Sequence, residues 1–81
     1  MHTREVFLND EWQQVSDGVH TIYLERRHGI TGGTVLFNLS QDKPTTETGH
    51  TLVNPVIISN KLTVWCRAEG EDCGVIVSGW D

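Results

Sequence analysis

Apolar and polar residues alternate with a period of two along most of this chain, the pattern of strands that bury one face. The strongest stretch is the last quarter, Lys61 to Asp81. Two runs rich in β-branched and apolar residues, K-L-T-V-W-C-R-A and C-G-V-I-V-S-G-W, flank the polar segment E-G-E-D, which contains Gly70. This predicts a terminal hairpin. Alternation sets Leu62, Val64, Cys66 and Ala68 on one face and Thr63, Trp65 and Arg67 on the other. A lone hairpin is marginal in water, so the rest of the chain must cover its apolar face.

Upstream, the pattern predicts strands over Thr3–Leu8, Glu11–Val15, Val19–Arg26, Thr34–Leu39, His50–Val53 and Val56–Ser59. Turn chemistry separates them. Asn9-Asp10 and Ser16-Asp17-Gly18 break the chain, and three glycines in residues 27–33 make a loop. Ser40 to Gly49 is a long polar loop, with Pro44 biasing Lys43 away from helix. Pro55 suits an edge or a bend. No stretch of ten or more residues carries helical periodicity with caps. Residues 1–81 therefore read as a single all-β domain. The expected architecture is a small antiparallel β-sandwich, jelly-roll-like, with short strands and little or no helix. The expected core is Val6, Leu8, Ile22, Leu24, Val35, Phe37, Leu39, Leu52, Ile58, Leu62, Val64, Val75 and Val77.

Composition narrows the function classes. A net charge of −5 argues against nucleic acid as a partner, since phosphate binding needs clustered Lys and Arg. It also disfavours an anionic membrane, and no apolar run approaches the roughly 20 residues of a membrane span. The opening residues, M-H-T-R-E, carry no signal-peptide apolar region, so export by that route is not expected. At 81 residues with 37% apolar content, the core is thin and a partner subunit would help it.

The candidate chemistry is sparse. The four histidines show no metal-ligand spacing, and no metal or cofactor is expected. The glycines of residues 27–33 lack the G-x-G-x-x-G spacing of a phosphate loop. No nucleophile elbow or other local catalytic signature appears, so an enzyme is not expected. For the two cysteines, hairpin geometry leaves alternatives open. A two-residue loop at Glu69-Gly70 sets Cys66 opposite Cys73 as a cross-strand thiol pair. A four-residue loop sets Cys66 opposite Val75. Only the first brings the Cα atoms within the roughly 7 Å a disulfide needs. The other reading of both cysteines is as small core residues. Trp65 and Arg67, with Trp80 and Tyr23, are candidate interface residues, because tryptophan, tyrosine and arginine anchor protein contacts. Lys43, Pro44 and Thr45 in the long loop are candidate contact residues.

The order of features carries a resemblance. A strand ending L-F-N-L-S is followed by D-K-P in a polar loop, then G-H-T-L, an apolar strand, L-T-V-W-C-R-A, a glycine-containing turn and V-I-V-S. From Thr34 to Ser78 this resembles the small all-β structural proteins encoded among the virion genes of tailed bacteriophages. Pro44, Gly49, Leu52, Trp65, Arg67 and Ala68 carry the match, and Cys66 is not part of the pattern. The resemblance implies a virion protein made in the host cytoplasm, such as a capsid decoration or a tail, knob or fibre component. It implies assembly with itself, as a trimer in particular, and with other virion proteins. The alternative is a carbohydrate-binding module for host surface glycan, stacking Trp65, Tyr23 or Trp80 on sugar rings.

Overall fold

The computed structural model describes residues 3–27, 33–59 and 62–79. Eight strands follow one another: β1 (Thr3–Leu8), β2 (Gln13–Gln14), β3 (Ile22–Arg26), β4 (Thr34–Leu39), β5 (His50–Thr51), β6 (Val56–Ile58), β7 (Val64–Glu69) and β8 (Cys73–Ser78). They form two four-stranded sheets. Sheet A has the order β1-β8-β3-β6, and sheet B the order β2-β7-β4-β5. All pairings are antiparallel.

The pairing has a simple rule. β1 pairs with β8, β2 with β7, β3 with β6 and β4 with β5. The chain is thus one long antiparallel ribbon, folded at its middle and rolled so that successive segments alternate between layers. Two further ladders, β3 with β8 and β4 with β7, close each sheet. This is a jelly roll, the eight-stranded double-sheet solution to the problem of exposed strand edges. The expected all-β sandwich is what the chain forms, with no helix among the described residues.

The core lies between the layers. Leu8 of β1, Ile22 and Leu24 of β3, Ile58 of β6 and Cys73, Val75 and Val77 of β8 face Val35 of β4 and Val64, Cys66 and Ala68 of β7, with Val15 and Leu52 closing the ends. Val6, Phe37 and Leu39 pack against this cluster half-buried, and Val56 joins them. Each fully buried Val, Leu or Ile contributes about 1.5–3 kcal/mol of transfer free energy. Leu62 departs from expectation: it is 38% exposed, before the strand starts. Val15 and Cys73 enter the core from segments that sequence reading placed in a short strand and beside a turn.

The terminal hairpin does not form. β7 lies in sheet B between β2 and β4, and β8 lies in sheet A between β1 and β3. The connection is an arch from one layer to the other, with Gly70 at φ 87°. The reason is burial. Each strand has a single apolar face. A hairpin would set the two faces side by side, whereas an arch makes Val64, Cys66 and Ala68 face Cys73, Val75 and Val77 across the core. Four strands are also shorter than their patterns: β2, β5, β6 by one residue, and β3, the last starting at Ile22 because residues 17–20 are held in a turn.

Candidate functional site

The outer faces of the two sheets differ in kind. On sheet B, the polar loop from Ser40 to Gly49 folds back over the strands and is held by side-chain donors that reach its carbonyls. Trp65 Nε1 donates to the Ser40 carbonyl at 3.0 Å. Trp12 Nε1 donates to Thr46 at 2.7 Å. Arg67 donates to the Glu47 carbonyl through Nη2 at 2.8 Å and Nε at 3.3 Å. Asn38 Nδ2 donates to Thr48 at 3.2 Å. Beneath the loop, the Arg67 guanidinium sits 5.6 Å from the centroid of the Trp12 ring. Leu36 is buried beside it. Gly49 fits because it lacks a side chain: a Cβ there would meet the Trp12 ring at 2.8 Å.

The face assigned to Trp65 and Arg67 is the outer one, and there both side chains hold the loop. Arg67 is only 8% exposed, and Trp65 is half-buried with its N–H engaged. The loop they hold is fastened along both flanks; its tip projects, with Lys43 and Thr45 exposed, Pro44 half-buried, and Lys43 Nζ 3.4 Å from Glu11 Oε2. Sequence reading missed Trp12 and Leu36. A tryptophan and an arginine so far apart in the sequence give no local sign that they will meet under a loop. Trp80 lies outside the described residues.

The cysteine pair is also corrected. Cys66 pairs across its ladders with Gln13 and Phe37, and Cys73 with Leu8. Both are buried free thiols in different sheets. Burial pushes both thiols upward in pKa, and the neighbouring Cys73 adds to the rise at Cys66. Cys73 borders a cleft of about 200 Å³, with Phe7, Leu8, Asn9 and Asp72 as its other walls. A protonated thiol is a poor nucleophile, and none of these neighbours is a histidine or lysine that would activate it.

Above sheet B, a polar groove of about 390 Å³ runs beside the loop, lined chiefly by Glu47, Thr48, Thr51, Arg67 and Glu69. Among the described residues, no group of three or more His, Cys, Asp or Glu side chains converges as a metal site would need.

Among the described residues, no such loop lies over the outer face of sheet A. On it, Tyr23 of β3 stands opposite Ile57 of β6 and Ser78 of β8. Ile76 of β8 stands opposite Glu25 on one side and Glu5 on the other. Phe7 of β1 stands opposite Gly74. Ile57, Tyr23, Ile76 and Phe7 thus form a diagonal across all four strands, each a direct or diagonal cross-strand neighbour of the next. Ile57 is 71% exposed, Phe7 65% and Tyr23 41%, and Ile76 is half-buried. Arg27, whose N–H bonds the Gly74 carbonyl at 2.9 Å, reaches over that glycine to pair with Glu5. Because Arg27 is level with Gly74 and Glu5 with Ile76, this ion pair crosses the diagonal between Ile76 and Phe7; Ile57, Tyr23 and Ile76 form its unbroken apolar part, and Phe7 stands beyond the charges.

Comparison with protein-family models, with curated proteins and with solved structures finds no match to this chain.

Proposed function

We propose that this protein is a non-enzymatic docking module of a bacteriophage virion, working through the outer face of sheet A. The observation that carries the docking reading is the exposed diagonal of Ile57, Tyr23, Ile76 and Phe7. Exposed apolar surface rimmed by polar groups is the mark of a contact site. A standard interface covers about 800 Å² per partner, about one sixth of this domain's 4859 Å² surface. The virion assignment rests on the resemblance of Thr34 to Ser78, and the jelly roll is an architecture of viral capsid domains, an analogy of fold only. The residues that carry the resemblance serve this body as structural fasteners: Trp65 and Arg67 hold the loop, Gly49 lets it close, and Leu52 and Ala68 fill the core. They belong to the scaffold, and among the described residues Tyr23 is the expected interface residue that lies on the docking face.

The glycan alternative has less support. Of the aromatics it could stack on sugar, Trp65 is half-buried with its N–H engaged, Tyr23 stands beside Ile57 and Ile76 away from the polar groove, and Trp80 lies outside the described residues.

Light scattering of the purified protein tests the docking reading. Self-association is expected, and the double substitution Tyr23→Asp and Ile57→Asp disperses it while the β-rich circular dichroism is kept. Association unchanged by that variant would remove sheet A as the docking face. For the virion assignment, genes for portal, capsid or tail proteins are expected beside this one; a setting among unrelated metabolic genes counts against it. A tryptophan-fluorescence titration with host surface polysaccharide is expected to show no change, and saturable quenching would favour the glycan module.

A further inference from the structure

Sheet edges invite strand addition, and folds blunt them with very short strands or proline. Three of the four edges here are blunted. β2 and β5 are two residues long, and β6 is three residues long, directly after Pro55. The fourth edge, β1, runs six residues, and β8 is its single strand neighbour among the described residues. The carbonyl of Phe7 accepts Gln13 Nε2 at 3.0 Å instead of a strand partner. Alternation then turns the backbone groups of Thr3, Glu5 and Phe7 to the open edge and those of Arg4, Val6 and Leu8 to β8.

We propose that β1 pairs antiparallel with β1 of a second copy of this chain about a two-fold axis at Val6, joining two four-stranded sheets into one of eight strands. The inference rests on sheet A being the docking layer. Only residues whose backbone groups face the edge can exchange hydrogen bonds, so the axis must pass through a residue and not between two. An axis at Arg4 sets guanidinium opposite guanidinium, and one at Glu5 sets carboxylate opposite carboxylate. Like charges directly opposite are destabilising. An axis at Val6 sets valine against valine, Arg4 against the partner's Leu8, and Glu5 against the partner's Phe7. On the outer face the two Phe7 rings become diagonal neighbours, about 7–8 Å apart, within reach of aromatic side chains. The outer face of sheet A then continues into its copy across the axis, with the Phe7 pair at the seam. The Phe7 carbonyl, already bonded to Gln13, keeps a second lone pair for the partner's Glu5 N–H. The contact gives a dimer as the pairing unit, where the resemblance implies a trimer.

Cysteine cross-linking between two variants tests the register. Glu5→Cys and Phe7→Cys proteins, mixed in equal amounts and oxidised, are expected to form a disulfide-linked heterodimer, because facing residues of such a pair have Cα atoms about 5.5 Å apart, inside disulfide range. Efficient linking of Glu5→Cys with itself would move the axis to Glu5 and overturn the proposal. In the unmodified protein, amide exchange at Glu5 and Phe7 is expected to slow at least tenfold between dilute and concentrated samples, and exchange independent of concentration would overturn it. If cross-linking and exchange both fail while the Tyr23 and Ile57 variant still disperses an oligomer, the docking face stands and the β1 pairing falls. If the pairing is found and that variant changes nothing, the edge is an interface and the face is not.

Discussion

The guanidinium of Arg67 lies 5.6 Å from the Trp12 ring centroid and donates twice to one backbone carbonyl, that of Glu47, at 2.8 and 3.3 Å. Cation–π contact and a charge-assisted bond act together in a site from which water is largely excluded, which strengthens both. Arg67→Ala removes both and leaves the loop carbonyl without its donor. A loss of about 2–3 kcal/mol in unfolding free energy is expected, from the usual cost of a hydrogen bond to a charged group. Arg67→Lys should restore less than half, since an ammonium lacks the fork that serves the carbonyl twice. Urea melts of the three proteins check this. Equal stability of wild type and Arg67→Ala would mean that the loop is held by its other donors.

The layered β body was legible because its signal is local: a period of two, broken by turn residues, names strands without knowledge of their neighbours. Val64, Cys66 and Ala68 faced the core as their alternation required. The partner of a strand is a different matter. Between Glu69 and Cys73 the same polar segment serves a hairpin or an arch, and only the burial of both apolar faces across one core selects the arch. The loop-holding role of Trp65 and Arg67 was hidden for a related reason. Their face was right, but what covers it is a loop whose ten residues carry no apolar period. Its attachment depends on carbonyls, which every residue has and no sequence pattern displays. The diagonal of sheet A was equally hidden, because Ile57, Tyr23, Ile76 and Phe7 come together only through the ladders.

The two thiols give a second prediction. Cys66 and Cys73 are buried, with pKa values raised chiefly by desolvation. Thiolate, the reactive form, is therefore scarce at neutral pH. The native protein is expected to react with neither iodoacetamide nor a disulfide reagent at pH 8 on a timescale of minutes, and to release two thiols on unfolding in guanidinium. Cys66→Ser should cost about 1–3 kcal/mol, because a hydroxyl is placed among apolar side chains at a position with no exposure. Rapid native alkylation of one thiol would show that the cleft beside Cys73 opens to reagent.

Acid stability depends in part on one turn. Asp17 Oδ1 accepts the backbone N–H of Val19 at 2.9 Å and of His20 at 3.0 Å, and Oδ2 lies 2.5 Å from His20 Nδ1. The His20 N–H bond first, then that of Val19, lowers the Asp17 pKa from 3.8 to about 2. A carboxyl depressed in the folded state binds its proton less readily there than in the unfolded chain, so its contribution is full above the unfolded pKa and is lost as pH falls through the folded one. The window is therefore pH 4 down to 2. Asp17→Asn keeps an oxygen acceptor for the two N–H groups but has no proton to take up. The urea midpoint of the wild type should fall more steeply between pH 4 and pH 2 than that of Asp17→Asn. Equal slopes below pH 4 would show that the turn holds its carboxyl no better than the unfolded chain does.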